Sequence, residues 1–435
     1  MMAREFKDSG IEWIGRIPKE WKTYRIKYNT FLKGRIGWQG LNSNDFIDEG
    51  YCLITGTDFD NKGGINWNSC YRISKERFDE DVLLHVKNGD LLMTKDGTIG
   101  KMAYIENLPE EASLNSHLLI IRQTTNIMNN KFLYWIMVSD VFTRFYNIFQ
   151  SGTTMNSISQ STIGLFSTPC PSLPEQQRIA DYLDKKCGEI DELIALQEQM
   201  IVQLTDYKQS VITEAVTKGL NPDAELVPSG IDWIGDVPKG WKVNKVNRMF
   251  GIIGSGTTPN SSDDDAYMGT INWLQSGDIN GGILTKANKR ISEETLAKYS
   301  ALSIFKAPFI IVAMYGASVG NISISHIDAC VNQACCVLGD STIDFTYAFY
   351  AIKSSQRYLI YRAVGGGQPN ISQYTLRQLW VPEPPLSEQQ SIATYLDTKC
   401  SEIDSLIAIK QQKIETLKDY KKSVIYEAVT GKMTV

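Results

Sequence analysis

The chain has 435 residues, of which 43% are hydrophobic and 21% are charged, and its formal net charge at neutral pH is −5. This composition excludes disordered and collagen-like chains, leaves room for two or three domains, and argues against a surface coated with positive charge. No apolar run approaches the ~20 residues that span a bilayer, and residues 1–10 are too polar for a signal peptide, so we expect a cytoplasmic protein.

A fourteen-residue motif near the start of the chain returns in the middle. Residues 9–22 read Ser-Gly-Ile-Glu-Trp-Ile-Gly-Arg-Ile-Pro-Lys-Glu-Trp-Lys, and residues 229–242 match them at ten positions. Trp233 corresponds to Trp13, which sets the offset in the numbering (233 − 13 = 220). Two spaced tryptophans and a proline do not recur together by chance, so the chain contains an internal repeat.

A basic segment begins within each copy of this motif. Residues 16–35 contain seven basic side chains and one acid, and residues 237–262 contain four basic side chains and no acid. Either segment alone is compatible with an ordinary solvated face. Because the two segments occupy equivalent places in the repeat, they also indicate local basic surfaces.

Glycine-rich turns alternate with short apolar runs in the two regions that follow. Residues 89–101 and 306–321 both read as strand, tight turn and strand, and residues 152–160 resemble residues 366–373. A further loop, 254–259, continues the second basic segment. Each loop alone is compatible with a plain turn. Matched polar loops in both copies favour a binding surface, since free backbone N–H groups beside Asn, Ser and Lys bond phosphates and base edges.

A second motif, Glu-Gln-Gln-x-Ile-Ala-x-Tyr-Leu-Asp, begins at Glu175 and again at Glu388, at a different offset (388 − 175 = 213). We call the repeated motifs and the helices that follow them the frame, and the divergent regions between the motifs the inserts. The spacing between the motifs differs, since 175 − 21 = 154 for the first insert and 388 − 241 = 147 for the second. Duplication followed by drift would spread the differences evenly. Their confinement to the inserts predicts that the inserts contact different things while the frame does one shared job.

Each second motif begins a long helix. Ser172, Pro174 and Glu175 are typical of a helix start, Lys218–Gly219 is typical of a helix stop, and the second copy runs to about Thr430. Seam residues recur in steps of four and three, with polar residues at matching places in both copies. The first seam is Leu183, Cys187, Ile190, Ile194, Gln197, Ile201, Leu204, Lys208 and Val211, and the second is Leu396, Cys400, Ile403, Ile407, Lys410, Ile414, Leu417, Lys421 and Val424. The repeat predicts an antiparallel coiled coil of the two helices, although each helix could instead pack on its own domain.

We find no sequence signature of a catalytic or metal centre. The chain has no G-x-x-x-x-G-K-[ST], H-E-x-x-H, C-x-x-C or G-x-G-x-x-G string, and no Asn/Asp-Pro-Pro-aromatic string of a base methyltransferase. Residues 316–320 match G-x-S-x-G, but they fall in the turn of a strand–turn–strand pattern and not between a strand and a helix, as a nucleophile elbow requires. The three histidines are far apart in sequence, and the eight cysteines are expected to be reduced and packed. The acidic run 263–265 reads as a solvated loop. We therefore predict no catalytic site, no metal and no cofactor on this chain.

Together the repeated motifs resemble those of the specificity subunits of type I restriction-modification enzymes. The S-G-I-E/D-W-I-G motif precedes each insert, the E-Q-Q-x-I-A-x-Y-L-D motif opens each long helix, and E-A-V-T occurs near each helix end. The resemblance covers essentially the whole chain. It implies that each insert is a target recognition domain that reads one half of an asymmetric, bipartite DNA site. It also implies that the helices fix the unread spacer and dock two modification subunits, which bind S-adenosylmethionine and methylate adenine. Restriction subunits would add ATP-driven, Mg-dependent translocation and cleavage.

The expected fold class is α+β, with two mixed α/β target recognition domains separated by two long helices and related by a pseudo-twofold internal repeat. The expected divisions are 1–171 for the first recognition domain, 172–219 for the central helix, 220–384 for the second recognition domain and 385–435 for the C-terminal helix. Two other functions stay open on the residues alone. One is a coiled-coil scaffold whose inserts bind protein, and the other is an enzyme that acts alone on DNA.

Candidate contact residues follow from the loops and from the resemblance. We predict DNA contacts from polar and basic residues of the basic segments and glycine-rich loops, namely Lys33, Arg35, Lys95, Thr98, Lys101, Asn156, Ser255, Thr257, Tyr315, Ser318, Gln368 and Asn370. We predict a partner interface on exposed helix positions near Tyr182, Tyr207, Tyr395 and Tyr420. These tyrosines could equally pack beside the seam.

Overall fold

A computed structural model describes residues 4–35, 41, 43–60, 62–149, 157–316, 318–363 and 369–435. The chain divides into two compact units, one made of residues 1–198 with 412–435 and the other of residues 199–411. Each unit therefore contains one insert and a part of each long helix. Within the described ranges, no helix combines the length and the apolar character needed to cross a membrane.

Short strands and short helices precede the long helix in the first unit. Its strands are β1 (Phe6–Asp8), β2 (Arg16–Pro18), β3 (Lys22–Arg25), β4 (Thr30–Lys33), β5 (Tyr51–Ile54), β6 (Tyr71–Ile73), β7 (Leu91–Thr94), β8 (Met102–Tyr104), β9 (Ala112–Leu114), β10 (Leu118–Gln123) and β11 (Ser167–Cys170). Its helices are α1 (Lys75–Asp79), α2 (Asn130–Met137), α3 (Asp140–Phe149), α4 (Gln160–Gly164) and the first part of α5 (Leu173–Lys218). The first motif forms the turn and the second strand of the β1–β2 hairpin and ends at the first residue of β3, and β3 pairs with β11 just before α5. This pairing joins the two ends of the insert.

Two sheets form the body of the first insert. One has the strand order β4-β10-β7-β8 with antiparallel neighbours, and the other has the order β6-β5-β9 with β9 parallel to β5. Strand β7 is buried on both faces. Leu91 and Met93 pack into the core that contains α2 and α3, whereas Leu92 between them packs into the core beneath β5 and β9. Because side chains alternate along a strand, a strand that packs against an apolar core on each face needs an unbroken run of apolar residues.

The second unit repeats these elements. Its strands are β12 (Leu226–Pro228), β13 (Asp236–Pro238), β14 (Lys242–Lys245), β15 (Phe250–Gly254), β16 (Ile271–Leu274), β17 (Ile283–Leu284), β18 (Lys289–Ile291), β19 (Phe309–Ala313), β20 (Ile322–Ser325), β21 (Cys330–Val331), β22 (Cys335–Ser341) and β23 (Trp380–Glu383). Its helices are α6 (Val246–Met249), α7 (Glu293–Lys298), α8 (Phe345–Ser354), α9 (Gln356–Tyr361), α10 (Gln373–Arg377), the end of α5 and the first part of α11 (Leu386–Val429).

The internal repeat extends into the divergent inserts. The sheet β15-β22-β19-β20-β17 has the order of β4-β10-β7-β8 with one strand added at its end, and β18-β16-β21 has the order of β6-β5-β9. The added strand β17 pairs in parallel with β20. Two repeated mixed α/β domains and two long helices are thus the observed fold, as the sequence predicted.

The long helices pair within each unit through the predicted seam. In the first unit Leu183 and Cys187 of α5 share a core with Val424 and Ala428 of α11. In the second unit the equivalent core lies between the end of α5 and the start of α11, at Val211, Ala215, Leu396 and Cys400. Residues early in one helix meet residues late in the other, so the pairing is antiparallel. Every predicted seam position is buried or half-buried.

All eight cysteines lie within the described residues and are free thiols, and seven of them are buried. Burial raises the pKa of the Cys170 thiol to about 11 and that of the Cys187 thiol to about 12. Because the thiolate is the reactive form, these protonated thiols are packing groups at neutral pH.

Candidate nucleic-acid interface

Four segments of the first unit meet at one edge of its four-stranded sheet. They follow β4, link β7 to β8, precede β10 and precede α4. The backbone N–H of Lys95 donates to the carbonyl of His117 at 2.9 Å, and the N–H of Ile158 donates to the carbonyl of Lys95 at 3.0 Å. Gly34, just after β4, lies beside the Lys95 side chain. The turn that follows β7 is therefore the centre of this edge.

The equivalent segments meet in the same way in the second unit. The N–H of Met314 donates to the carbonyl of Ala334 at 2.7 Å, and the N–H of Ile371 donates to the carbonyl of Met314 at 2.6 Å. After β15, the hydroxyl of Ser255 donates to the carbonyl of Cys335 at 2.7 Å. We call these two convergences the loop edges of the two units.

Their hydrogen bonds align the two loop edges residue by residue. Lys95 and Met314 make the same pair of backbone bonds, so the next residues, Asp96 and Tyr315, are equivalent. Asp96 forms a bridge with Ser157, and Tyr315 forms one with Asn370. The turn after β19 is one residue longer than the turn after β7. The two edges thus share a backbone design but present different side chains, an acid and a hydroxyl in one against a phenol and an amide in the other.

Two predicted contacts at the end of β4 have internal roles. The ammonium group of Lys33 lies 2.8 Å from the carboxylate of Asp81. The Arg35 side chain is fully buried. Its guanidinium group donates to the carbonyl of Leu114 at 3.0 Å, to the hydroxyl of Ser113 at 3.2 Å and to the carboxylate of Glu80 at 3.3 Å. Arg35 therefore ties the segment after β4 to β9 and is not available to a phosphate in this structure.

Three predicted residues of the turn after β7 differ in exposure. Lys95 is half-buried, with its ammonium group 3.8 Å from the carboxylate of Asp96. Thr98 and Lys101 are exposed. Lys101 also borders a cleft of about 490 Å³ between this turn and the α2–α3 region. Thr98 and Lys101 are thus the predicted residues of this turn with exposed side chains.

Ser255 and Thr257 stabilise the loop after β15 from within. Ser255 uses its hydroxyl on the backbone of β22, and the carbonyl of Thr257 accepts from Nε1 of Trp273 at 3.2 Å. Both residues are half-buried. In the same loop Thr258 donates to the side chain of Gln333 at 2.6 Å, which links the loop to the segment before β22.

The remaining predicted contacts lie in and beside the turn after β19. Tyr315 and Ser318 are half-buried and Asn370 is exposed. Burial is the main cause that raises the pKa of Tyr315, so its phenol keeps its proton and can donate. Asn156 and Gln368 lie outside the described residues.

Sequence reasoning missed the segment that precedes β10 and β22. His117, with a side chain 66% exposed, places Nδ1 3.4 Å from the carboxylate of Asp96 at the loop edge. Gln333 lies in the equivalent segment of the second unit. No repeated string marks either residue. One sequence feature could have indicated this segment, because an asparagine precedes it in both copies. The backbone N–H groups of Asn115 and Asn332 bond the ends of β5 and β16 in the same way.

A pair of glutamines that begin short helices also holds the loop edges. Nε2 of Gln160 donates to the carbonyl of Leu32 at 2.7 Å, and Nε2 of Gln373 donates to the carbonyl of Ile253 at 3.1 Å. These bonds fasten α4 to β4 and α10 to β15.

The basic segments contribute cations apart from the loop edges. Lys22, Arg25 and Lys27 are exposed and form no ion pair within the described part of the first unit. In the second unit Lys242 and Arg248 are exposed as well. These side chains could meet phosphates without any change in internal contacts.

The predicted partner tyrosines form two equivalent patches on the frame helices. Tyr207, Tyr395 and Tyr420 are exposed, whereas Tyr182 is half-buried against the first core. In the first unit, the pKa of Lys186 is raised mainly by its bond to Glu189, with smaller contributions from Tyr420 and Tyr182. In the second unit, the pKa of Lys399 is raised mainly by Glu402, with smaller contributions from Tyr207 and Tyr395. Each lysine therefore lies within electrostatic range of two phenols, and we call these two groups the Tyr–Lys–Tyr patches.

No group of three or more His, Cys, Asp or Glu side chains suited to a metal ion occurs among the residues that the structure describes. Two repeated domains, each with a loop edge, on one pair of helices define a recognition protein with two binding elements. The type I restriction modification DNA specificity domain matches this chain twice, at residues 36–205 and 238–419. The chain therefore belongs to that family and is a non-catalytic specificity subunit of a type I restriction-modification system.

Known proteins resemble the chain along nearly its full length. The MjaVIII type I restriction enzyme specificity subunit of Methanocaldococcus jannaschii is 24% identical over 432 residues, which cover 97% of this chain and 94% of that protein. A solved chain from a type I R-M system, described for its complex assembly and conformational transition, has a TM-score of 0.73 at 17% identity and covers 96% of this chain and 99% of its own. The HsdS subunit from Thermoanaerobacter tengcongensis has a TM-score of 0.51 at 17% identity, covering 96% and 98%. At these identities the two structures support the fold.

Proposed function

We propose that each insert binds one half of an asymmetric, bipartite DNA site and that its loop edge makes the base contacts. One observation carries the proposal. The same four segments meet in both units, yet Asp96 and Ser157 of the first edge are replaced by Tyr315 and Asn370 in the second. Base pairs differ in the pattern of donors and acceptors that they present in the major groove. Two readers with one backbone design and different polar side chains suit two different half-sites.

The predicted DNA contacts divide by exposure into residues that touch DNA and residues that shape the edge. The exposed Thr98, Lys101 and Asn370 are the first candidates for direct contact, with the half-buried Tyr315, Lys95 and Ser318 beside them. Lys22, Arg25, Lys27, Lys242 and Arg248 are candidates for phosphates. Phosphate contacts fix the position on the duplex, whereas base contacts select the sequence.

The frame helices would hold the two readers at a fixed separation and dock two modification subunits. Half-sites about one helical turn apart, ~34 Å, would place both readers on one face of the duplex. The two Tyr–Lys–Tyr patches are candidate docking surfaces because they repeat with the frame and not with the inserts. S-adenosylmethionine would be bound by the modification subunits, and ATP and Mg by the restriction subunits, in the cytoplasm. A net charge of −5 favours partners that supply much of the phosphate affinity.

The test is co-expression with the cognate modification subunit, followed by single-molecule sequencing of methylated adenines in host DNA. We expect one bipartite motif with a fixed spacer. Removing one heptad, 192–198, from α5 together with the equivalent 405–411 from α11 preserves the seam and should shift the spacer while both half-sites stay the same. Replacing Tyr315 and Asn370 by alanine should relax one half-site only.

A stable complex with the modification subunit that methylates no motif would contradict the DNA-reading role. The inserts would then be protein-binding domains on a coiled-coil scaffold. A matched control is Lys62→Ala, a substitution outside both the loop edges and the frame, which should leave the motif unchanged.

A further inference from the structure

The two copies of the first motif differ in what covers their second tryptophan. In the first unit Trp21 is 1% exposed, and its Nε1 donates to the carboxylate of Glu175 at 3.2 Å. In the second unit Nε1 of Trp241 donates to the carboxylate of Glu388 at 3.0 Å. Trp241 is nevertheless half-buried and Glu388 is exposed. The same indole–carboxylate pair is thus sealed in one unit and open in the other.

Arg4 seals the pair in the first unit. Its Nη2 lies 2.6 Å from Oε1 of Glu175 and 2.7 Å from Oε1 of Glu20. Its Cζ lies 5.2 Å from the centre of the Trp21 ring. A guanidinium group that stacks on an indole and bonds a carboxylate gains from a cation–π contact and from a charge-assisted hydrogen bond together.

The neighbouring ion pair fixes which residue of the second unit replaces Arg4. Glu5 and Lys19 pair at 2.9 Å in the first unit, and Glu225 and Lys239 pair at 2.9 Å in the second. Both members keep the offset that relates Trp13 to Trp233, so the residue equivalent to Arg4 is Ala224. An arginine that is held inside the first unit is therefore absent from the second.

A cavity of about 470 Å³ lies where the second unit lacks that arginine. Ala224, Trp241, Glu388, Ile392, Leu220 and Lys218 are among the residues that line it. The counterpart of Glu20 is Gly240, so Glu388 is the one that remains of the two carboxylates that bind Arg4. Glu225 also lines the cavity, but it is paired with Lys239. No lysine or arginine of the described residues forms an ion pair with Glu388, and Lys239 is held by Glu225.

We infer that this cavity, the Trp241–Glu388 pocket, binds an arginine side chain of a protein partner, with the guanidinium group placed as that of Arg4 is in the first unit. Arginine fits better than lysine because a planar guanidinium can stack on the ring and bond the carboxylate at once. The pocket lies on the frame and not on the insert, so its partner is a protein that docks on the frame. This inference rests on the proposed function in one respect, which is the identity of the partner as the modification subunit. It makes the two units unequal in docking, since the pocket of the first unit is already filled by Arg4 of the chain itself.

The first experiment measures guanidinium binding to the full chain with a small probe. N-acetyl-L-arginine amide is titrated while the indole N–H resonances are followed by ¹⁵N NMR, with Trp241→Phe used to assign the Trp241 signal. We expect that signal to shift with a Kd on the order of millimolar. N-acetyl-L-citrulline amide has nearly the same shape without the charge, and it should leave the signal in place.

Two variants test the pockets in opposite directions, one by filling the second pocket and one by opening the first. Ala224→Arg should fill the second pocket from within and abolish the Trp241 shift, while Ala224→Gln, a neutral control, should weaken it by less than about threefold. Arg4→Ala should open the first pocket, so that the probe shifts the Trp21 signal as well. Absence of any Trp241 shift in the wild-type chain, or an equal shift with the citrulline probe, would overturn the inference. The Ala224→Arg result decides the matter even if Arg4→Ala fails to fold.

The second experiment measures assembly with the modification subunit by native mass spectrometry. Ala224→Arg should weaken binding of one of the two copies by about tenfold or more, whereas Ala224→Gln should not. Unchanged binding in Ala224→Arg would refute this partner assignment. Loss of motif-specific methylation in a wild-type complex that still binds the probe would instead count against the DNA-reading role, so the two failures are distinguishable.

Discussion

The ammonium group of Lys421 lies 2.7 Å from both carboxylate oxygens of Asp191, across the antiparallel helix pair of the first unit. The second unit forms the same contact, with Lys208 2.5 Å from Asp404. Asp404 and Lys421 follow Asp191 and Lys208 at the offset of the second motif, so one ion pair occurs twice. Both lysines occupy polar positions of the predicted seam. Polar seam positions in coiled coils set register at some cost in stability.

We expect a small coupling free energy between Lys421 and Asp191. Both side chains are partly exposed, and ion pairs of this kind contribute about 0.2–1 kcal/mol. The measurement is a double-mutant cycle with Lys421→Met and Asp191→Asn, read by urea unfolding. The matched cycle with Lys208→Met and Asp404→Asn should give a similar value. A coupling well above the range of exposed ion pairs, or one of opposite sign in the second unit, would show that the two pairs do not play the same role.

Substitution of Arg35 should affect mainly the stability of the chain, whereas substitution of Lys101 should affect mainly DNA binding. Arg35→Ala leaves Glu80 and two β9 acceptors without their buried partner, so the free energy of unfolding should fall by about 2–4 kcal/mol. Lys101→Ala removes an exposed cation, so stability should stay within about 0.5 kcal/mol. If Lys101 meets a phosphate, its loss reduces the salt dependence of DNA binding by about one counterion.

The measurements are thermal unfolding of the isolated chain and DNA titrations of the assembled complex at several salt concentrations. Arg122→Ala is a useful control because Arg122 also forms an internal ion pair, with Asp90, away from the loop edge. Full stability in Arg35→Ala would contradict the internal role that we assign to this arginine.

The frame could be predicted from the sequence because its signals are local and occur twice. Every seam position that heptad spacing predicted is buried or half-buried, and the first motif marked where the repeat begins again. Charge counting failed at Arg35, because a basic residue in a basic segment looks the same whether it faces solvent or the carbonyl of Leu114. A local sequence pattern cannot show whether a side chain is buried, because burial depends on strands that are distant in sequence.

The loop edges were recognised only in part for a similar reason. The two glycine-rich strings place Lys95 opposite Tyr315, whereas the hydrogen bonds place Asp96 there, since one turn is a residue longer. His117 joins the edge through long-range pairing of β10 with β7. Neither fact leaves a trace in local composition.

Gln197 in the seam of the first unit should make the folded chain less stable than an apolar residue at the same position would. It is 3% exposed, and its Oε1 has no hydrogen-bond donor among the described residues. An unsatisfied buried acceptor costs about 1–3 kcal/mol. Gln197→Leu should therefore raise the free energy of unfolding by about 1 kcal/mol, measured by urea denaturation.

The matched control is Lys410→Leu at the equivalent seam position of the second unit. Lys410 is half-buried, and a lysine can bury its stem while its ammonium group stays in water, so the gain there should be smaller. A loss of stability in Gln197→Leu would mean that the amide makes a contact worth more than the apolar packing that replaces it.

Lys353 at the end of α8 should make the stability of the second unit depend on pH. Its ammonium group donates to the carbonyl of Gly281 at 2.9 Å, and Lys208, Cys400 and Asp404 lie near enough to influence it. Burial is the main cause that lowers its pKa to about 8, from 10.5 for an unperturbed lysine. Below pH 8 both folded and unfolded chains carry the proton, and the cost of burying the charge is fully present. As pH rises from 8 to 10.5 the folded chain loses the proton first, so stability gains up to about 3 kcal/mol.

Buried thiols titrate in the same range with the opposite sign, because burial raises their pKa values, as it raises that of Cys336 to about 12. The wild-type curve is therefore a sum of opposing terms, and the contribution of Lys353 is the difference between wild type and Lys353→Met. Urea unfolding at pH 7.5 and at about pH 10 should show Lys353→Met more stable than wild type at the lower pH and the advantage shrinking at the higher one. A difference that stays constant or grows with pH would mean that Lys353 is charged in the folded chain throughout this range.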